Sequence, residues 1–181
     1  MNDLLLLANL LGGPLHGYAL KKQATLITGS ADMHNNLVYP LLRRFVARGW
    51  VRRKSEAGER GQRRLVYSLT PEGKTELLRR LSEFGEADAY SSEAFQLRVG
   101  LFRFLNREAR ALILEQRRNY LELRDQKLAV LQEQFQLTGY SSEVVKFLRT
   151  QIDAELSWVR RLNGRIEAAG DRKSRQARNP R

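Results

Sequence analysis

The sequence predicts a mostly helical fold with one small β-hairpin. Apolar residues recur at helical spacing over most of the 181 residues, and the spacing changes to alternation only around 50–69. Glycines and prolines separate the periodic segments, and hydrophobic residues make up 42% of the chain, which is enough for packed cores. We expect an N-terminal domain over 1–84, an all-α domain over 85–170 and a basic flexible tail over 171–181.

Three short helices are predicted ahead of the hairpin. The first covers 2–11 and ends at a Gly-Gly-Pro segment. The second covers 16–27, and its apolar residues include Tyr18 as an inner position. The third begins at Asn35 or Asn36, both acceptable N-caps, and ends at a glycine that favours a left-handed stop.

A hairpin and a fourth helix follow. Residues 50–54 can form one strand, and 65–69 alternates in the manner of a return strand after a glycine-containing polar tip. Thr70 is then a helix cap with Pro71 at the first helical position, and the helix continues to about 84. The order of three helices, a hairpin and a helix is that of a winged helix-turn-helix, whose third helix fits the major groove of DNA.

The remainder reads as helix. We expect a connector over 85–92, a short helix over 93–105, a long helix capped by Asn106 that ends near 137, and a last helix that opens at 142. The apolar residues of this last helix follow the spacing of three and four that suits lengthwise packing, and we assign them to dimerisation. They are Val145, Leu148, Ile152, Val159, Leu162 and Ile166.

The positive charge is concentrated in one place. The formal net charge is +12, and the stretch 43–64 alone carries nine Lys and Arg against Glu56 and Glu59. A protein this basic meets nucleic acid or an acidic membrane face. No apolar run approaches the ~20 residues that cross a bilayer, so we expect no membrane partner.

Several chemistries are excluded by residue type. The chain has no Cys, which removes thiolate metal sites and nucleophiles and fits a reducing, cytoplasmic location. Its only histidines are His16 and His34, and no acidic cluster lies near them. The sequence holds no nucleophile elbow, phosphate-binding glycine loop or paired-histidine zinc motif. We therefore expect no cofactor, no metal and no enzymatic activity.

Three motifs resemble those of PadR-like transcriptional regulators. They are Gly-Pro-Leu-His-Gly-Tyr at 13–18, Val-Tyr-Pro-Leu-Leu-Arg-Arg-Phe at 38–45 with Gly-Trp-Val after it, and the wing strand and helix start at 63–73. The resemblance implies that 38–45 is the recognition helix and that Tyr39 contacts DNA through its hydroxyl. It also implies a helical dimerisation domain, because Glu-Leu-Ser-Trp at 155–158 resembles the longer family members.

The expected DNA contacts lie on the third helix and the wing. Leu37 stands where the family often has a small or polar residue, so the amides of Asn35 and Asn36 could read base edges instead. Arginines of the wing would meet phosphates, which sets affinity and salt dependence rather than sequence preference. The expected DNA-binding residues are Asn35, Asn36, Tyr39, Arg43, Arg44, Arg60, Arg63 and Arg64.

These observations lead to a dimeric repressor that binds a pseudo-palindromic operator in double-stranded DNA. A hydrophobic or aromatic small molecule could relieve repression, with Trp158 either as a wall of its pocket or as an aromatic in the dimer core. Two alternatives stay open. One is a helical protein–protein adaptor whose degenerate winged helix no longer reads DNA, and the other is a protein that sequesters a small molecule.

Overall fold

A computed structural model describes residues 2–28, 35–57 and 63–178. These residues fall into two compact units, Met1–Glu83 and Phe84–Arg181. Helix dominates both units, and the strands all belong to one small sheet. This confirms the predicted fold class. None of the helices in the described ranges is long and apolar enough to span a membrane.

The described residues of the N-terminal unit form four α-helices and a three-stranded antiparallel sheet. The sheet order is β1-β3-β2. The strand β1 was not predicted, because two residues are too few to show an alternating pattern. The elements are α1 (Asn2–Asn9), β1 (Leu15–His16), α2 (Gly17–Thr28), α3 (Asn35–Ala47), β2 (Val51–Ala57), β3 (Arg63–Leu69) and α4 (Pro71–Ser82), with a 3-10 turn at Leu10–Gly12.

The core of this unit is built from one face of each helix. Leu6 and Leu7 of α1, Phe45 of α3 and Leu77 of α4 have no exposed surface. Burial of each such side chain contributes about 1.5–3 kcal/mol to folding. The core therefore fixes which face of α3 remains outside.

The exit from α3 is locked to the start of α4. Gly49 adopts φ +72°, which is the left-handed stop expected there. The Thr70 hydroxyl oxygen accepts from the Gly73 amide at 3.0 Å and donates to the Gly49 carbonyl at 2.7 Å. A β-carbon on Gly73 would lie 2.0 Å from the Trp50 carbonyl oxygen. These close contacts hold the base of the wing against α3.

The C-terminal unit is entirely helical over its described residues. It contains α5 (Glu86–Tyr90), α6 (Ser92–Gly100), α7 (Arg107–Gln134) and α8 (Gly139–Arg178), with a 3-10 turn at Phe102–Phe104. Side chains of Ser91 and Asn106 cap α6 and α7, and the cap at Asn106 is the one that the sequence predicted.

Several boundaries of this unit differ from the expectation, and the helix expected over 93–105 ends at Gly100, ahead of the 3-10 turn. The segment taken as a connector contains α5, which is too short for a periodic signal. Helix α8 begins at Gly139, three residues before the expected start at 142. It also continues to Arg178, through most of the segment 171–181 that we expected to be a flexible tail. Arg, Lys, Gln and Ala in that segment are all strong helix formers, which explains the continuation.

Helices α7 and α8 form an antiparallel pair with polar links along its length. The Arg149 guanidinium contacts Asp125 at 2.7 Å, and Arg117 contacts Glu155 at 2.8 Å. The stripe that we assigned to dimerisation lies on the inner side of this pair. Val145, Ile152 and Val159 are buried within the single chain, whereas Leu148, Leu162 and Ile166 are half-buried. The sequence shows that these residues pack lengthwise, but it cannot tell a partner helix in the same chain from one in a second chain.

Candidate nucleic-acid interface

Helix α3 has one buried and one exposed face. Val38, Leu42 and Phe45 point into the core with no exposed surface. Asn36 and Arg43 are exposed, and Tyr39 is 36% exposed. The outward face of α3 is thus free to enter a groove of about one helix width.

The wing places further cations beside that face. Strands β2 and β3 pair in register from Val51 opposite Leu69 to Ala57 opposite Arg63. All residues of β2 after Val51 are exposed, and so are Arg63 and Arg64 at the start of β3. A solvated strand with this charge resembles a phosphate-contacting wing more than a core strand.

Helix α3 and the wing meet at Tyr67. This residue is buried on β3, directly across from Arg53 on β2. Burial raises the pKa of the Tyr67 hydroxyl, the Tyr39 hydroxyl raises it further, and the positive charges of Arg53 and Arg43 oppose both effects. Tyr39 of α3 and Arg63, Arg64 and Tyr67 of β3 line one cleft, so the helix face and the wing are continuous there.

A cleft of about 540 Å³ opens on this surface. Two exposed tyrosines and two wing arginines stand around it, so it offers both aromatic faces and positive charge. Its lining includes His16, Gly17, Tyr18, Tyr39, Arg63, Arg64 and Tyr67.

The arginines of this surface have no acidic partner among the described residues. Arg43, Arg53, Arg63 and Arg64 form no ion pair there, although Glu56 faces Arg64 across the strands. Unpaired and exposed guanidinium groups keep their positive field available to a polyanion.

A second set of arginines in the same unit is neutralised. Arg80 contacts Asp3 at 2.7 Å and Glu76 at 2.6 Å, and Arg79 contacts Glu76 at 2.9 Å. Hydrogen bonds from Arg79 and Arg80 lower the pKa of Glu76 from its ordinary 4.5 to about 2. The charge of Arg44 is only partly neutralised, because its guanidinium is half-exposed and lies 4.0 Å from the Asp3 carboxylate.

The structure brings most of the predicted contact residues to one unit. The exposed ones are Asn36, Tyr39, Arg43, Arg44, Arg63 and Arg64. Arg60 lies outside the described residues, as does the side chain of Asn35. Their contacts with DNA remain predictions.

Sequence reasoning missed two residues of this surface. Tyr18, which we expected to be an inner residue, is 73% exposed. Leu20 and Ala24 are the buried positions of α2, and a residue two positions from Leu20 lies about 200° around the helix from it. That spacing could have placed Tyr18 outside. Arg53 could have been found from the alternation of β2 against β3, which puts it beside Tyr67.

The helical unit has a cavity of its own. It measures about 420 Å³ and lies between α6, α7 and α8. Trp158 forms one wall, and its ring meets Phe95 edge-on at a centroid distance of 5.5 Å. The apolar walls include Leu121, Leu148 and Ile152, and polar groups come from Gln96, Arg124 and Gln151. Over the described ranges, no group of His, Asp or Glu could hold a metal ion.

The fold and the basic surface define a class of protein. Three helices followed by a charged wing, with the outer face of α3 exposed next to it, are the winged helix-turn-helix of DNA-binding transcriptional regulators. Residues 5–79 match the model of the transcriptional regulator PadR-like family. The N-terminal unit therefore matches the PadR-like family, and the resemblance carried by the three sequence motifs is confirmed there.

Solved structures of transcriptional regulators are similar to this chain. One from Thermoplasma acidophilum is 31% identical over 56% of this chain and 86% of its own, with a TM-score of 0.42. Bacillus subtilis PadR in complex with operator DNA is 19% identical over 91% of this chain and 98% of its own, with a TM-score of 0.44. A PadR family regulator from Clostridium difficile is 25% identical over 44% and 81%, with a TM-score of 0.38. The search of curated proteins gave no match.

Proposed function

We propose that this transcriptional regulator is a homodimeric repressor whose α3 and wing bind a pseudo-palindromic operator and whose helical unit responds to a small-molecule effector. The observation that carries the DNA-binding part is the set of exposed, unpaired cations that surrounds the outward face of α3. Two such surfaces related by a two-fold axis would match an operator with two-fold symmetry.

Within this surface the side chains have different tasks. Asn36 and Tyr39 lie on the outward face of α3, where side chains reach bases or the backbone bordering the groove. Arg63 and Arg64 stand at the start of β3, where the wing would follow the phosphates. The first pair would decide which sequence is bound, and the second would decide how salt weakens binding.

The DNA-binding assignment is tested by duplex affinity at several salt concentrations. The probe is a labelled duplex that the wild-type protein selects from a random-sequence library, with a scrambled duplex as control. We expect Tyr39→Ala to weaken binding and Arg64→Ala to lower the slope of log affinity against log salt by about one. An unchanged slope in Arg64→Ala contradicts the wing contact. If the wild type binds both duplexes with equal affinity, the alternative of a protein–protein adaptor that does not read DNA sequence is favoured.

The dimer is supported by an apolar face that the single chain leaves uncovered. On α8, Tyr140, Val144 and Phe147 follow one helical stripe and are 93%, 57% and 62% exposed. Val130 and Phe135 near the end of α7 are exposed as well. Large apolar residues that stay exposed along one helical stripe mark an interface more often than apolar residues scattered singly. We therefore move the proposed dimer contact from the buried stripe to this outer one.

Sedimentation equilibrium tests the dimer. We expect the wild type to sediment as a dimer and Phe147→Glu to dissociate, because the new carboxylate would be buried in the contact. Arg160→Glu, which places a carboxylate on another side of the same helix, should remain dimeric. A monomeric wild type, or equal dissociation of both variants, would refute this contact.

The effector site is supported by the cavity beside Trp158. Leu121, Leu148 and the indole provide apolar walls, and Arg124 provides a positive charge at the edge. A flat aromatic molecule with one acidic group suits this combination. Ligand entry would alter the packing of α7 against α8 and, through the dimer, the spacing of the two DNA-binding units.

Calorimetry with p-coumaric acid as the probe tests this site. We expect binding to the wild type, loss of binding in Trp158→Leu, and release of the selected duplex when the acid is added. Binding of the acid without release of DNA would favour a sequestering protein over an inducible repressor. Equal binding by Trp158→Leu would refute the pocket.

A further inference from the structure

Gly17 lies where the first turn of α2 approaches the ring of Tyr39 on α3. A β-carbon built on Gly17 would come within 2.9 Å of Cε1 of Tyr39, 3.5 Å of its Cζ and 3.4 Å of its hydroxyl oxygen. Non-bonded carbon atoms prefer separations of about 3.5–4.0 Å. The tyrosine ring therefore occupies the space that a side chain at position 17 would need.

The backbone supplies no reason for glycine at this position. Gly13 and Gly49 adopt φ angles of +126° and +72°, which favour glycine, whereas the φ of Gly17 lies outside that region. Glycine is also a weaker helix former than alanine, and Gly17 is the first residue of α2. Close approach of the Tyr39 ring is the physical explanation that remains.

The ring has one covered side and one open side. Tyr39 is 36% exposed, and it lines the cleft together with Arg63, Arg64 and Tyr67. Burial raises the pKa of the Tyr67 hydroxyl, and the Tyr39 hydroxyl adds to that rise. The side of the ring that touches Gly17 therefore determines where the hydroxyl stands relative to the wing.

We propose that Gly17 is a positioning residue for DNA binding. By carrying no side chain, it lets the Tyr39 ring lie against α2 and keeps the hydroxyl within the cleft between α3 and the wing. This rests on the proposed function, in which Tyr39 contacts the duplex.

A methyl group at position 17 would move the ring rather than the helix. Val38 and Leu42, on either side of Tyr39 in α3, have no exposed surface and hold the helix in the core. Tyr39 itself borders open solvent, so rotation of its side chain is the easier response. The rotated hydroxyl would leave the cleft while the fold stays intact.

A double-mutant cycle with the library-selected duplex tests this role. We expect Gly17→Ala to weaken binding about tenfold, in the range of coupling between contacting residues, without lowering the thermal midpoint of unfolding. In the Tyr39→Ala background the same substitution should have no further effect on affinity, because the ring is gone. Gly12→Ala is the matched control, since a β-carbon there meets no atom within 4 Å.

The outcomes separate this inference from the proposed function. If Tyr39→Ala weakens binding but Gly17→Ala binds like the wild type, the positioning role is wrong and the DNA contact stands. Equal weakening by Gly17→Ala in both backgrounds also overturns the positioning role. If Tyr39→Ala binds the duplex like the wild type, both the DNA contact of Tyr39 and the positioning role of Gly17 are wrong.

Discussion

The arginines around the outward face of α3 and two arginines of the helical unit have the same charge and opposite surroundings. Arg43, Arg53 and Arg64 are exposed and have no acidic partner in the described parts of the chain. Arg98 and Arg117 are only 2% and 1% exposed, and each contacts a carboxylate. The first set keeps its charge available to a partner, and the second uses charge to hold the helices of its own unit together.

The buried network around Arg117 shows how the second use works. Its guanidinium donates to both carboxylate oxygens of Glu155 at 2.8 Å, to the Ser92 hydroxyl at 2.7 Å and to the Ala89 carbonyl. It also lies over the rings of Phe95 and Tyr120. These hydrogen bonds offset the cost of burying the Arg117 guanidinium, because an unpaired internal charge is costly. The network therefore ties α5, α6 and α8 to α7.

Substitution of Arg117 is expected to have the largest effect. Arg117→Leu leaves the Glu155 carboxylate without its partner in a mostly buried place, so the free energy of unfolding should fall by about 3–5 kcal/mol. Urea denaturation followed by circular dichroism measures this loss.

The neighbouring arginine supplies the control. Arg118 is half-exposed, and its contact with Glu122 is long and weak at 3.9 Å. Arg118→Leu should therefore change the free energy of unfolding by less than about 0.5 kcal/mol. Equal losses in the two variants would mean that burial does not distinguish these arginines.

Two adjacent arginines on α3 allow a paired and an unpaired arginine to be compared within one unit. Arg43 has no acidic partner among the described residues, whereas Arg44 is near Asp3 and stacks on Phe45. Arg43→Ala should therefore weaken duplex binding by about 1 kcal/mol and lower the salt slope by about one, and Arg44→Ala should do less. Fluorescence anisotropy at several salt concentrations compares them. A greater effect of Arg44→Ala would mean that Arg44, and not Arg43, is the main phosphate contact on this face of α3.

The paired arginines of α4 lead to the smallest expected effect, which depends on pH. The pKa of Glu76 is about 2 in the folded state, below its ordinary 4.5. The contact therefore stabilises the fold above about pH 4.5, and this stabilisation is lost as the pH falls toward about 2. The wild type should be slightly more stable than Glu76→Gln near neutral pH, and the difference should vanish near pH 2. A difference that is constant across this range would exclude a role for ionisation.

Local signals made much of the fold predictable. Thr70 and Asn106 are predictable as caps because a cap needs only the residue and the helix that follows it. The end of α3 followed from one glycine for the same reason. The strand β1 and the Tyr39–Gly17 contact depend on residues far apart in sequence, and a linear pattern does not record such contacts.

The two faces of α8 show a second limit. Val145, Ile152 and Val159 form one apolar stripe, and Val144 and Phe147 belong to another that is offset by one residue. Both stripes have helical spacing, so the sequence alone cannot tell which one packs against α7. The structure assigns the first to the interior and leaves the second exposed.

The salt dependence of duplex binding tests the central claim most directly. Two double variants remove the same charge, Arg63→Ala with Arg64→Ala on the wing and Arg160→Ala with Arg161→Ala on the exposed side of α8. If the wing contacts phosphates, the first should lower the slope of log affinity against log salt by about two, and the second should leave it unchanged. Equal changes in both would show that binding depends only on net charge, which would contradict a specific DNA-binding surface formed by α3 and the wing.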